Sequence, residues 1–353
     1  MTKVDSPVIF DGHNDVLLKL HMAGGLSATE SFLTGRDGAI DAVSAKKGNF
    51  GGGFFAVYVP SPVDRNFKME EMAKSAYDLP LPAPVEWCDA LPVVMAQAAI
   101  LFDLEKRGAL CICRSVADIR ATLDAGKMAA IFHIEGVEGI DPDLNTLEVL
   151  YQAGLRSLGP VWSRSTIFGH GVPFRYPGTP DIGDGLTEHG VRLIKRCDEM
   201  GIMVDLSHLN EAGFWDVAKY STKPLVATHS NAHAICPHSR NLTDRQLAAI
   251  KESDGMVGLN FAVAFLRDDG RMLADVPLEQ MIRHLDHLIE HVGEDRVGMG
   301  SDYDGAVVPE DLTSCAGLPK LRQAMEKHGY DKALIAKICH ENWLRVLKKT
   351  WGK

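Results

Sequence analysis

Val8-Ile9-Phe10-Asp11-Gly12-His13-Asn14-Asp15 is an apolar run that ends in an imidazole and a carboxylate two positions apart. On a strand, residues i and i+2 share a face, so His13 and Asp15 converge at the strand's C-terminal end. Four further apolar runs end in the same kind of residue. They are Ile131-Phe132-His133-Ile134-Glu135, Ile202-Met203-Val204-Asp205-Leu206-Ser207-His208, Leu225-Val226-Ala227-Thr228-His229 and Val297-Gly298-Met299-Gly300-Ser301-Asp302. Ligand-type residues at the C-terminal ends of several strands are the layout of a (β/α)₈ barrel active site.

The rest of the chain fits that frame. Eight apolar runs can be counted, roughly 8–15, 53–59, 129–136, 155–162, 202–209, 225–230, 256–261 and 297–304. Helical patterns fall between them at 93–107, 186–200, 242–252, 277–292 and 334–347, with Thr243-Asp244 as an N-cap signal. Strands alternating with helices predict a parallel sheet, and several runs are apolar enough to be covered on both faces. The expectation is a single α/β domain over 1–353, a TIM-type barrel of the amidohydrolase kind. Its long catalytic-face loops fall at about 16–50 and 163–185, the second rich in Gly, Pro and aromatics like a substrate lid.

Composition narrows the function classes. The 353 residues are 46% hydrophobic and 24% charged, with a formal net charge of −10. That balance disfavours nucleic acid and anionic membrane surfaces, which want basic patches. Seven cysteines are scattered without a CxxC pair, as expected of buried thiols in a reducing compartment. The N-terminus lacks an apolar targeting core, and no stretch reads as a membrane span, so the expected location is cytoplasmic. Cys339-His340 lies in a helical stretch far from the strand ends and is no nucleophile candidate.

The chemistry sits in one constellation. His13, Asp15, Glu135, His208, His229 and Asp302 come from five different strands whose ends meet over one barrel mouth. Buried charges need partners, and three histidines with three carboxylates call for metal. Such ligands suit Zn²⁺, with Mn²⁺ or Co²⁺ as substitutes. Six groups exceed one tetrahedral ion and suit two ions about 3.5–4 Å apart, bridged by a carboxylate and a water.

The motifs DGHND at 11–15, HIEG at 133–136, DLSHL at 205–209, THSNAHAICPHSRNLTD at 228–244, GSDYDG at 300–305 and ENWLRVL at 341–347 appear in this order. Together they resemble the zinc dipeptidases of the renal (membrane) dipeptidase type, a branch of the amidohydrolase barrels. The resemblance spans nearly the whole chain. It implies that His13 and Asp15 hold one zinc, that His208 and His229 hold the other, and that Glu135 bridges them. It implies a metal-bridging hydroxide as nucleophile, Asp302 as proton shuttle, and Arg240 as the grip on a dipeptide's terminal carboxylate. A homodimer is implied by the resemblance alone.

One position departs from the family pattern. Where the family places a histidine near the end of strand four, this chain has Trp162, and His170 follows eight residues later on the loop. His170 is the candidate to supply the missing electrophile beside the substrate. Trp162, with Phe168, Phe174 and Tyr176, is the candidate to shape a different substrate pocket. Two other readings therefore stand beside the dipeptidase: an amidohydrolase acting on another small amide, N-acyl amino acid, lactam or lactone, and a non-catalytic metal-binding protein. His133, Asp304 and Asp11 are read as candidates to support the site, and Asn14 as structural. Asp205, three residues before His208, is expected to face away.

Overall fold

In the computed structural model, residues 6–61 and 68–352 are described. Strand β1, Ile9–Asn14, is buried along its whole length, as a strand covered on both faces must be. Seven more parallel strands follow: β2 Phe50–Tyr58, β3 Ala129–Glu135, β4 Leu155–Gly159, β5 Met203–Val204, β6 Val226–Ala227, β7 Met256–Asn260 and β8 Val297–Gly300. Their hydrogen-bonded order is β5-β4-β3-β2-β1-β8-β7-β6. The remaining gap is bridged where Asp205 pairs with Val226 and the Leu206 N–H donates to the Val226 carbonyl at 2.8 Å. The eight expected strands thus close into the expected barrel, with Cys111–Ile112 paired parallel to the start of β3.

The helices lie outside this wall, with differences from the sequence pattern that have physical causes. Asp244–Glu252 begins with the expected Thr243 cap, completed as a capping box by Gln246. The helix expected from Val93 spans Trp87–Lys106 and contains Pro92. Proline there removes one helical hydrogen bond, while the added turns bury Ala90. This 20-residue helix is long and apolar enough to cross a membrane by length and composition, contrary to the sequence expectation, and 39% of its most apolar window is buried. Val94, Leu101 and Leu104 lie in the main core.

The closing helix is interrupted. A π turn at Lys337–Glu341 separates Lys332–Ala336 from Asn342–Trp351. Immediately after it, Asn342 donates to the carbonyls of Glu294 and Val297, and Trp343 enters the barrel. There Trp343 packs with Phe10, Phe54, Ile131, Met203, Val226 and Met256.

The two long catalytic-face segments are more ordered than loops. The stretch after β1 forms the helices Val16–Met22, Thr29–Thr34 and Ala42–Gly48. The stretch after β4 carries Arg175–Tyr176, paired antiparallel with Tyr77–Asp78. A small apolar cluster of Met72, Tyr77, Leu79, Phe174 and Phe265 forms there, apart from the main core.

Candidate metal centre

Local irregularity brings the polar residues inward. The β1–β2 ladder shifts register between Asp11 and Asn14, where His13 stands. His208, Asp302 and Asp304 have φ of 67°, 58° and 67° as the chain leaves the barrel wall. Left-handed backbone at non-glycine residues costs on the order of 1–3 kcal/mol each and gathers at functional sites. Asn14 donates to the Phe54 carbonyl at 3.0 Å, the structural role expected of it.

The convergence is tight. Glu135 Oε1 lies 3.1 Å from His208 Nε2, 3.4 Å from His229 Nε2 and 3.6 Å from His13 Nε2. The Nε2 atoms of His208 and His229 are 3.1 Å apart. The rings of His13 and His229 stack with centroids 3.9 Å apart. Asp15 Oδ2 is 3.4 Å from His13 Nε2, and Asp302 falls in the same group as these two. Every residue of the sequence-predicted metal set is therefore brought together.

The polar layer beneath them sets their orientation. Asp205 does not face away as expected: β5 ends at Val204, and the Asp205 carboxylate turns inward. Its Oδ1 accepts the backbone N–H groups of Ser207 at 3.0 Å and Thr228 at 2.8 Å. Its Oδ2 accepts the Thr228 hydroxyl at 2.5 Å, and Thr228 Oγ1 lies 2.8 Å from His229 Nδ1. A carboxylate only accepts, so the single hydroxyl proton of Thr228 goes to Asp205 and its oxygen accepts from His229 Nδ1–H. That tautomer leaves the His229 Nε2 lone pair aimed at Glu135 and its neighbours. Ser163 Oγ, 2.8 Å from His208 Nδ1, holds the second ring. Neither Thr228 nor Ser163 stood out in the sequence; Thr228 precedes a ligand-type histidine, which was the signal available.

Asp11 and Asp304 fix the rim. Asp11 accepts the Ser301 N–H at 2.6 Å and the Ser301 hydroxyl at 2.7 Å, joining β1 to the end of β8. Asp304 is paired with Arg36 at 2.8 Å and holds the segment after β1 rather than the centre. His133 Nδ1 meets Ser157 Oγ at 2.9 Å, and its Nε2 is 3.9 Å from Asp205.

The electrostatics call for a cation. Burial pushes the His208 and His229 imidazoles well below the usual histidine range. Burial also lifts the carboxyls of Glu135 and Asp302. Burial alone would lower His13 as well, but the charges of Glu135 and Asp15 override it and raise the group to about 10. Both ring nitrogens of His13 are nevertheless buried without a hydrogen-bond partner among the described residues. An orphaned imidazole among carboxylates, beside two more imidazoles with converging Nε2 atoms, fits a metal site of the nitrogen–oxygen type.

The centre opens into a cavity of about 1090 Å³. Asp15, Glu135, His208 and Asp302 line its floor, and Tyr58, Trp162, Phe174 and Phe265 line part of its wall. The Trp162 ring lies 5.2 Å from Tyr58, 5.6 Å from Phe174 and 5.7 Å from His208. Arg240 is buried behind this wall, against Phe265, and is not itself among the lining residues. It donates to the His229 carbonyl at 3.1 Å, its guanidinium lies 5.4 Å from the Phe265 ring centre, and its Nε is unpaired. His170 is not among the lining residues, and its Nδ1 lies 3.2 Å from Ser165 Oγ. Phe168 belongs to the main core and Tyr176 bonds the Asp268 carbonyl, so neither lines the cavity.

A parallel barrel whose strand ends gather imidazoles and carboxylates over a cavity defines a metallohydrolase of the amidohydrolase type. The membrane dipeptidase family (peptidase family M19) matches residues 3–351. The chain belongs to that family. Among solved structures, it is similar to a metallopeptidase from Rhodobacter sphaeroides liganded with a phosphinate mimic of the dipeptide L-Ala-D-Ala. That protein is 52% identical, with 98% of this chain and 100% of the other covered and a TM-score of 0.96. Dipeptidase AC, a metallopeptidase of family M19, is 51% identical over 99% of this chain and 100% of the other, with a TM-score of 0.93. A protein from the pqqA 5′ region of Klebsiella pneumoniae is 48% identical over 74% of this chain and 98% of its own length.

Proposed function

We propose that this chain hydrolyses the peptide bond of dipeptides, using two zinc ions held at the barrel mouth. The convergence of three imidazole Nε2 atoms within 3.6 Å of Glu135 Oε1, on the floor of the cavity, is the observation that carries the reading. His13 and Asp15 are assigned to one ion, His208 and His229 to the other, and Glu135 to both. When bound, zinc in such a donor set polarises a carbonyl and makes deprotonated water available at neutral pH.

The chain's own residues do the rest. Arg240 is assigned the substrate carboxylate on its charge and forked donors, and reaches it only if its buried guanidinium, outside the present cavity lining, comes into the cavity. Trp162 and Phe174 exclude water from one side of the bound dipeptide. Asp302, held at 3.0 Å by the Asn260 side-chain amide, takes the proton of the attacking water and returns it to the departing amine. Trp162 stands where a histidine is expected, so it bears on substrate range; His170, away from the cavity lining, is given no step. A homodimer is part of this proposal on the family resemblance alone, and a reducing, cytoplasmic setting on the seven free cysteines.

The test is a panel of L,L and L,D dipeptides with a tripeptide and an N-acetyl amino acid as controls, run on zinc-loaded and chelator-stripped protein. Zinc-dependent cleavage confined to dipeptides is the expected result. Cleavage of the N-acetyl amino acid instead would move the chain to another amidohydrolase reaction. A fully metallated protein without any hydrolysis would favour a binding role.

A further inference from the structure

A second cluster of metal-type side chains lies outside the barrel mouth. Helix Leu278–Val292, which follows β7, carries His287 and His291 four residues apart. Beside them stands Asp244, in the first turn of helix Asp244–Glu252. None of the three lines the cavity. All are at least partly open to solvent.

The geometry is that of three corners around a point. Asp244 Oδ1 lies 2.7 Å from His287 Nε2 and 3.9 Å from His291 Nε2. One ligand atom from each residue falls within 4.8 Å of the other two. Ligand atoms on a tetrahedral ion with bonds near 2.1 Å stand about 3.4 Å apart, so small side-chain rotations suffice. An ordinary hydrogen bond accounts for the His287–Asp244 pair. It does not account for His291, whose ring stacks on His287 with centroids 4.3 Å apart and whose Nε2 turns to the same oxygen.

The scaffold is firm on both sides. The capping box of Thr243 and Gln246 fixes the turn that carries Asp244. Met281, Ile282, Leu285 and Leu288 bury the opposite face of the histidine helix. Histidines at i and i+4 are a spacing that lets two imidazoles take one ion. Two imidazoles and one carboxylate select a late first-row divalent ion over calcium or magnesium, which prefer oxygen alone.

We propose that Asp244, His287 and His291 form a separate, solvent-facing site for one divalent transition-metal ion such as zinc, with water completing its coordination. The ion ties the helix after β6 to the helix after β7.

The test is a calorimetric titration of zinc into tag-free holoenzyme whose barrel centre is already loaded and whose excess metal has been removed. One further equivalent is expected in the wild type, together with a rise in Tm on its addition. The His287→Ala/His291→Ala double variant should lose both, while its turnover of a dipeptide at saturating zinc stays that of the wild type. No further equivalent in the wild type would overturn the site. So would a further equivalent that the double variant binds equally well.

Discussion

The two ends of the barrel are buried alike and built from opposite chemistry. Toward the N-terminal ends of the strands, Phe10, Met203, Val226 and Met256 close around Trp343. The single polar atom of its side chain donates to the Met299 carbonyl at 3.0 Å. Gly12 and Gly258 leave room for the indole, since a Cβ at either would come within 2.6 and 3.0 Å of its ring. Toward the C-terminal ends stand three imidazoles and their carboxylates, with both nitrogens of His13 unpartnered. Between the two lies one layer: Phe54 is 5.2 Å from Trp343 and 6.1 Å from His133, which is 5.6 Å from His13. The apolar end satisfies itself and stabilises the fold; the polar end is only partly satisfied by its own hydrogen bonds and leaves His13 for what it binds. That division lets a barrel keep an electrostatically costly site without unfolding.

The division breaks most sharply at Asp302. Asp302→Asn should lower turnover by about 10²–10⁴-fold, the range for a positioned acid–base group. Zinc content and Tm should stay near wild type, because the Asn260 contact and the backbone bond to His13 remain available. Metal analysis beside steady-state kinetics reads both. Loss of zinc in this variant would make Asp302 a ligand instead of a proton carrier.

Trp343→Ala attacks the other end. Removing this fully buried ring should cost about 3–5 kcal/mol of stability, read as a lowered urea midpoint. Turnover per folded, zinc-loaded molecule should not change, since no cavity-lining atom is touched. A variant with normal stability and impaired turnover would mean that the two ends are coupled through Phe54 and His133.

The polar end was the more legible of the two in the sequence. His13, Glu135, His208, His229 and Asp302 each close an apolar run, and alternation within a strand carries such residues to one face. The barrel followed from the same runs. Trp343 was hidden because its approach depends on a π turn, which side-chain periodicity does not announce. Asp205 was misplaced because strand alternation was extended past Val204, where the strand has ended. Ser163 carried no pattern, and Thr228 only its place before a ligand-type histidine: hydroxyls that hold a ring through one hydrogen bond are identified only when both partners are in place.

Thr228 lies on the boundary between the ends and gives the finest test of the comparison. Its hydroxyl spends its one proton on Asp205 and its lone pair on His229 Nδ1–H, so it dictates the tautomer without touching a substrate. Thr228→Val keeps the shape and removes both bonds. Freed from them, His229 can turn or carry its proton on Nε2, where it no longer ligates. Groups that orient a metal-binding histidine typically account for about 10–100-fold in affinity, so zinc affinity measured against a competing chelator should fall by that amount. Thr228→Ser should restore it, because the hydroxyl returns even though the methyl does not. Saturating zinc should recover most of the turnover of Thr228→Val, in contrast to Asp302→Asn, which no added metal should rescue. Wild-type affinity in Thr228→Val would place His229 with the self-satisfied end of the barrel and remove it from the ligand set.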